Sequence, residues 1–261
     1  MSGFFDHNLW SLMLGLGAGL ACGFLNTAAS SGSAVSLPIL MLVGLDPTSA
    51  NATNRIPVLL GALTASASFT AKRAIHWSLA AKVALPAAAG RVAGAFAAEH
   101  LPTRDLGMVI TGALVAALVL LFSKLKQAIE KASSDVTRFG LREVAIFFGI
   151  GLWLGFIVLD GATYLLLALT LGVGLNLVQA NAIKSAVLVP TTFVAMAMFA
   201  YKGSIDWDIG LFMGAGSILG GMLGARVATA PRAKQYVFVL LVIVIAAELV
   251  QLALHYIFGL V

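Results

Sequence analysis

The stretch SANATNRIPVLLGALTAS (residues 49–66) is an apolar helix in the making whose opening turns carry Asn51, Asn54 and Arg55. On a helix these stand at i, i+3 and i+4, so they share one face. The chain nearly repeats the feature at QANAIKSAVLVPTTFVAM (residues 179–196), where Asn181 and Lys184 stand at i and i+3. Working outward, the surroundings are lipid-like. The 261 residues are 60% hydrophobic and 10% charged, with a mean hydropathy of +1.00. Soluble domains carry about 25% charged residues, and a chain this short could not hide so much apolar surface from water. The expected fold class is therefore an all-α polytopic membrane protein.

Apolar runs tile the chain at 9–25, 34–45, 50–71, 79–98 and 106–122, then at 144–159, 162–175, 178–200, 209–225 and 236–254. Most approach the roughly 20 residues a spanning helix needs. The runs at 34–45 and 162–175 fall short. Each follows a polar break, NTAASSGS (26–33) or DGAT (160–163). The only long polar stretch, 123–143, holds Lys124, Lys126, Lys131, Arg138 and Arg142, which marks it as cytoplasmic. The expected organisation is an N-terminal transmembrane repeat over 1–123, a linker over 124–143 and a C-terminal repeat over 144–261. Each repeat holds four transmembrane helices and one short broken or re-entrant segment.

The repeat rests on a constant offset. It pairs Gly44 with Gly174, Asn51 with Asn181, Lys72 with Lys202, Ile75 with Ile205, Trp77 with Trp207, Gly90 with Gly220 and Gly94 with Gly224. Paired interrupted segments in two like halves are the sequence pointer to a transporter's substrate site. Orientation stays open. Re-entrant short segments would make the halves parallel, and segment length favours this; spanning ones would invert them, and the loop charge bias favours that.

These features resemble the TauE/SafE family of sulfite and organosulfonate exporters. The residues that carry the likeness are the broken first helix, SLPILMLVGLDP (36–47), the polar-started third segment and the basic turn ending in Trp. The second half offers GFIVLDGATYLLLALTLGVGL (155–175) and AYKGSIDWDIGLFMGAGSILGGMLGA (200–225). The resemblance implies a permease for a small anion. ANATNR and ANAIKS stand where the family commonly has a small residue and Thr-Ser.

The residues themselves point the same way. Amides and cations are donors, and a helix start adds free N–H groups and partial positive charge, so Asn51, Asn54, Arg55, Asn181 and Lys184 suit an oxyanion. A central Lys or Arg costs about 2.5–3.5 kcal/mol on insertion scales; the alternative is a snorkelling cation with the asparagines as caps. The breaks add Ser30, Ser31, Gly32, Ser33, Gly161 and Thr163, as substrate contacts or as plain helix caps. Asp160 and Glu248 are the acidic candidates for a coupling proton. Gly15, Gly19 and Gly23, Gly90 and Gly94, and Gly216, Gly220 and Gly224 read as close helix packing. Arg91, inside one such motif, is a weaker pathway candidate.

No metalloprotease, nucleophile-elbow or P-loop motif occurs, so no enzyme, cofactor or metal is expected. The single cysteine, Cys22, excludes an intrachain disulfide. The expected protein is a secondary transporter in the bacterial inner (plasma) membrane, its partners a small anion and the lipid bilayer, with no nucleic acid. A permease for a cation or neutral metabolite, or an intramembrane scaffold, are the alternatives. Oligomeric state is open, a homodimer being one option.

Overall fold

The computed structural model describes residues 9–30, 32–100, 139–156 and 161–230. Ser31, Asp160, Glu248, most of the linker and the apolar runs at 106–122 and 236–254 lie outside the described residues. Within them all regular structure is helical. The helices are α1 (Leu9–Ala28), α2 (Ser33–Leu42), α3 (Pro47–Thr53), α4 (Arg55–Ala71), α5 (Trp77–His100), α6 (Leu141–Phe156), α7 (Gly161–Leu167), α8 (Leu177–Tyr201) and α9 (Trp207–Ala228). Residues Ala168–Gly172 continue α7 as a π-helical turn. Among the described residues four helices are long and apolar enough to cross a membrane: α1, most of α5, α8 and α9. The fold is thus a bundle of apolar helices in which α2, α3 and α7 with its π turn are short.

Local chemistry sets the helix ends. Asp46 caps α3 by accepting from the backbone N–H of Thr48 and Ser49 at 2.9 and 3.2 Å. The Ser49 side chain and these N–H groups hold the exposed Asp46 carboxyl below its ordinary range, so the cap stays ionised. At α8 the same task falls to Asn176. Its side chain accepts from Gln179 N while the Gln179 side chain accepts from Asn176 N, a reciprocal capping box. Asn176→Ala should cost about 0.5–2 kcal/mol of stability, read as a lower unfolding temperature of the detergent-solubilised protein. Gly44 and Gly174, just before these caps, both take positive φ (106° and 89°), which lets the chain turn sharply into the next helix. Arg73 and Gly203 do likewise after α4 and α8, at 52° and 72°.

The run at 50–71 is not one helix. It is split at Asn54 between α3 and α4. Pro57 has no N–H for the Thr53 carbonyl and its ring crowds that carbonyl, which interrupts the helix there. The first break is also narrower than the sequence indicates, because α1 runs on through Ala28 and Ser33 already belongs to α2. Gly161 and Thr163 are helical, in the first turn of α7, rather than unwound.

Glycines set the closest helix pairs. Gly15 faces Ile209, Gly19 faces Met213 and Gly23 faces Ser217, so α1 and α9 run in the same direction. Gly90 faces Phe148, Gly94 faces Leu152 and Gly155 faces Arg91, so α5 and α6 also run together. Gly210 and Gly214 meet Ile56 and Leu60, and Gly221 meets Gly61 and Thr64, which adds α4 to the direction of α1 and α9. By contrast α4 and α5 are antiparallel. Arg55 and Arg91 reach one carbonyl at one level, while Leu63, Ser66, Trp77 and Leu85 line one cavity at another. It follows that α1 and α6 run in opposite directions. It follows too that α1 and α4 share a direction, so the chain between them, α2 included, runs back from the end of α1 to the start of α4, which lies beside Cys22.

Candidate functional site

Two polar clusters lie inside this apolar bundle. The first forms around Lys184, two turns into α8 and fully buried. Its ammonium donates to Asn26 O (2.6 Å), Ser30 Oγ (2.6 Å) and Asn181 Oδ1 (2.7 Å), with Thr27 O farther away at 3.5 Å. Asn26 and Thr27 are in the last turn of α1, where carbonyls lack intrahelical partners and carry partial negative charge. The cation therefore caps a helix C-terminus held inside the bundle. Ser30, at φ 68°, turns the chain there. Its carbonyl accepts from Thr163 Oγ1 at 3.2 Å, tying the two breaks together. Gly32 N donates to Asn26 Oδ1 at 3.0 Å. A Cβ on Gly32 would lie 2.1 Å from Cys22 O, so glycine is required for the approach.

Asn54 joins this cluster from the α3–α4 junction. Its Oδ1 accepts from Ser36 Oγ at 2.6 Å. The Cys22 thiol, which accepts from Asn26 Nδ2 at 3.5 Å, reaches the same oxygen at 4.0 Å. Asn51 is buried on α3.

The second cluster forms around Arg55 and Arg91, both fully buried. Arg55 Nη1 donates to Leu154 O (3.1 Å) and Nη2 to Gly155 O (3.0 Å). Its guanidinium lies 4.5 Å from the centre of the Phe199 ring, in cation–π contact. Arg91 Nε donates to the same Leu154 carbonyl (3.2 Å), and its Nη1 donates to Thr191 and Thr192 Oγ1, both at 2.8 Å. Leu154 and Gly155 sit in the last turn of α6, so these cations cap a helix end just as Lys184 does. Lys184 on α8 thus reaches the end of α1, and Arg55 on α4 and Arg91 on α5 reach the end of α6.

The two clusters have three features in common. Every recorded acceptor of Lys184, Arg55 and Arg91 is neutral. The side chains are sealed from solvent. And Asn54 Nδ2, Arg55 Nε, Arg91 Nη2 and Asn181 Nδ2 are buried N–H donors with no hydrogen-bond partner, Ser66 Oγ being the other orphan among the described residues. Buried unsatisfied donors are rare in folded proteins, and here they crowd beside unpaired cations. Such a set can accept negative charge, and among the described residues it has none of its own.

The residues expected from sequence are therefore divided rather than gathered. Lys184, Asn181, Asn54, Ser30, Gly32, Ser33 and Thr163 lie in or beside the first cluster, and Arg55 belongs to the second. Arg55 and Lys184 share no acceptor. A cavity of about 510 Å³ does open between α4, α5 and α8, but it is apolar, bounded by residues such as Leu63, Trp77, Leu85 and Pro190, and holds none of these side chains. Arg91, a weaker pathway candidate in the sequence, is fully buried and belongs to the second cluster. Sequence reading passed over Asn26, Ser36, Thr191 and Thr192. For Asn26 a signal existed, since it opens the polar break; for the threonines the only signal was the polar pair after Pro190.

A bundle of apolar helices enclosing cations that have no acidic partner among the described residues is an arrangement suited to a membrane transporter. Known proteins agree: the family profile of the sulfite exporter TauE/SafE matches residues 15–249, and the chain belongs to that family. It is 26% identical over 236 residues to a "Probable membrane transporter protein ORF9" of a Sinorhizobium species, covering 90% of each chain. It is 30% identical over 213 residues to a "Probable membrane transporter protein" of Haemophilus influenzae, covering 80% of this chain and 81% of the other. A "Probable membrane transporter protein YfcA" of Escherichia coli is 23% identical over 208 residues, covering 79% and 77%. No solved structure matches the chain.

Proposed function

We propose that the protein is a multi-pass permease of the bacterial inner membrane that carries a small oxyanion, of the sulfite or organosulfonate kind, through two inverted halves. The observation that carries this reading is the set of buried cations with neutral partners and leftover N–H donors. A desolvated oxyanion is the ligand such a set can satisfy, by charge-assisted hydrogen bonds. A cation would meet the same groups as repulsion, and a neutral solute would leave their charge uncompensated. The family's name is drawn from sulfite export, which agrees with the charge.

The duplicated architecture is supported by matched local structure at the sequence offset. Asp46 and Asn176 both cap, Gly44 and Gly174 both take positive φ, and Lys72 and Lys202 both follow a helix end. Inversion is supported by the opposed directions of α1 and α6. Exchange of first helices between halves, α1 onto α9 and α6 onto α5, would let the halves rock against each other around the two capped helix ends. Asp160 and Glu248 remain the proposed carriers of a coupling proton.

The test is flux. Proteoliposomes holding the purified protein should take up labelled sulfite down its gradient faster than empty liposomes, with methanesulfonate competing and choline without effect. Uptake at the rate of empty liposomes for every anion offered, with correctly inserted protein, would contradict the reading.

A further inference from the structure

We propose that Arg55 and Arg91 together form a second anion subsite, apart from Lys184, that prefers a doubly charged oxyanion to a singly charged one. This rests on the permease reading and adds to it a division of labour between the two clusters. The geometry is specific. Two fully buried guanidiniums donate to one carbonyl oxygen, that of Leu154, which sets them side by side. Their remaining recorded partners are the Gly155 carbonyl, the Thr191 and Thr192 hydroxyls and the Phe199 ring, none of which carries a negative charge. Like charges this close and away from water repel strongly.

Packing alone would be served by fewer charges. One arginine suffices to cap the end of α6, and the second adds repulsion without a counter-ion among the described residues. Both also keep an unused N–H, at Arg55 Nε and Arg91 Nη2. The Phe199 ring covers a face of the Arg55 guanidinium and leaves its edge for hydrogen bonds. The Thr191 hydroxyl accepts from Arg91 and donates to Val187 O at 2.7 Å. That of Thr192 accepts from Arg91 and keeps its hydrogen for a further acceptor. Two positive charges, two spare N–H groups and a hydroxyl match a tetrahedral or pyramidal dianion. Lys184, a single charge already holding three close acceptors, matches one negative charge.

The experiment compares sulfate, a dianion at neutral pH, with methanesulfonate, a monoanion with the same three-oxygen face. Binding to purified wild type, Arg91→Gln and Arg91→Lys in lipid nanodiscs is measured by calorimetry at equal ionic strength. Wild type should bind sulfate more tightly. Arg91→Gln should lose about tenfold in sulfate affinity, equivalent to about 1.4 kcal/mol, while methanesulfonate changes far less. Arg91→Lys, which restores charge without the planar fork, should recover part of the preference. An unchanged sulfate-to-methanesulfonate ratio in folded Arg91→Gln overturns the proposal. Should that variant not fold, wild type decides: equal affinity for the two anions overturns the subsite alone. Binding of neither anion overturns the permease reading with it.

Discussion

Lys184→Ala is expected to lower anion uptake by about ten- to a hundredfold, the loss of the one charge-assisted hydrogen bond, at about 1.5–3 kcal/mol, that the ammonium gives the anion in exchange for one of its three present acceptors. Stability should fall with it. Removing the ammonium leaves the Asn26 carbonyl and the Ser30 and Asn181 side chains without their donor, and each buried group left unmet costs about 1–3 kcal/mol. Lys184→Arg should fold, because a guanidinium can still reach the α1 end, yet transport poorly, since its broader fork does not reproduce a compact ammonium. Initial uptake rates, scaled to inserted protein, check both. Wild-type uptake in a folded Lys184→Ala variant would leave Lys184 a helix cap and nothing more.

The second large effect concerns the glycine contacts. A Cβ at Gly19 would lie 1.9 Å from the Met213 carbonyl, and one at Gly94 would lie 1.8 Å from the Leu152 carbonyl. The obstruction is backbone, so α1 must part from α9, or α5 from α6. Overpacking of this kind costs about 1–3 kcal/mol and at times more. Gly19→Ala and Gly94→Ala should each lower the unfolding temperature markedly and reduce transport, because these contacts hold together the helices that carry both clusters. Gly17 and Gly149 lie on the same helices, α1 and α6, with nothing within 4 Å of an added Cβ. Alanine there should be neutral or stabilising, by up to about 1 kcal/mol of helix propensity. A thermal-unfolding series over the four variants reads the contrast directly.

How much of this was legible in the sequence can be judged residue by residue. Arg55, Asn54, Asn181 and Lys184 stood out because a polar side chain in an apolar run demands a partner, and all four are buried and close to helix ends. The short helices α2 and α7 followed from run length, whereas the caps at Asp46 and Asn176 were passed over although they stand at the constant offset. Apart from Asn181, which shares a helix face with Lys184, the partners were not legible. Lys184 finds the Asn26 and Thr27 carbonyls at the end of α1 and Arg55 finds its acceptors on α6, across 157 or more and 99 or more positions of chain respectively. A repeat tells that two halves are alike and says nothing of which helix of one lies on which helix of the other. The split at Asn54 was readable from Pro57, but the apolar run masked it. Arg91 stood as a weaker pathway candidate inside the Gly90–Gly94 pair, and those glycines are what let α6 come close enough for the Leu154 carbonyl to meet the guanidinium.

The central claim is that the buried, unpaired donors are where the anion binds. The most direct measurement is a crystal structure of the protein with selenate, a stand-in for sulfate that selenium's anomalous scattering locates without ambiguity. The account predicts selenium within hydrogen-bonding reach of Arg55 and Arg91, or of Lys184 and Asn181. Selenate bound only elsewhere, in protein that transports anions, would contradict it.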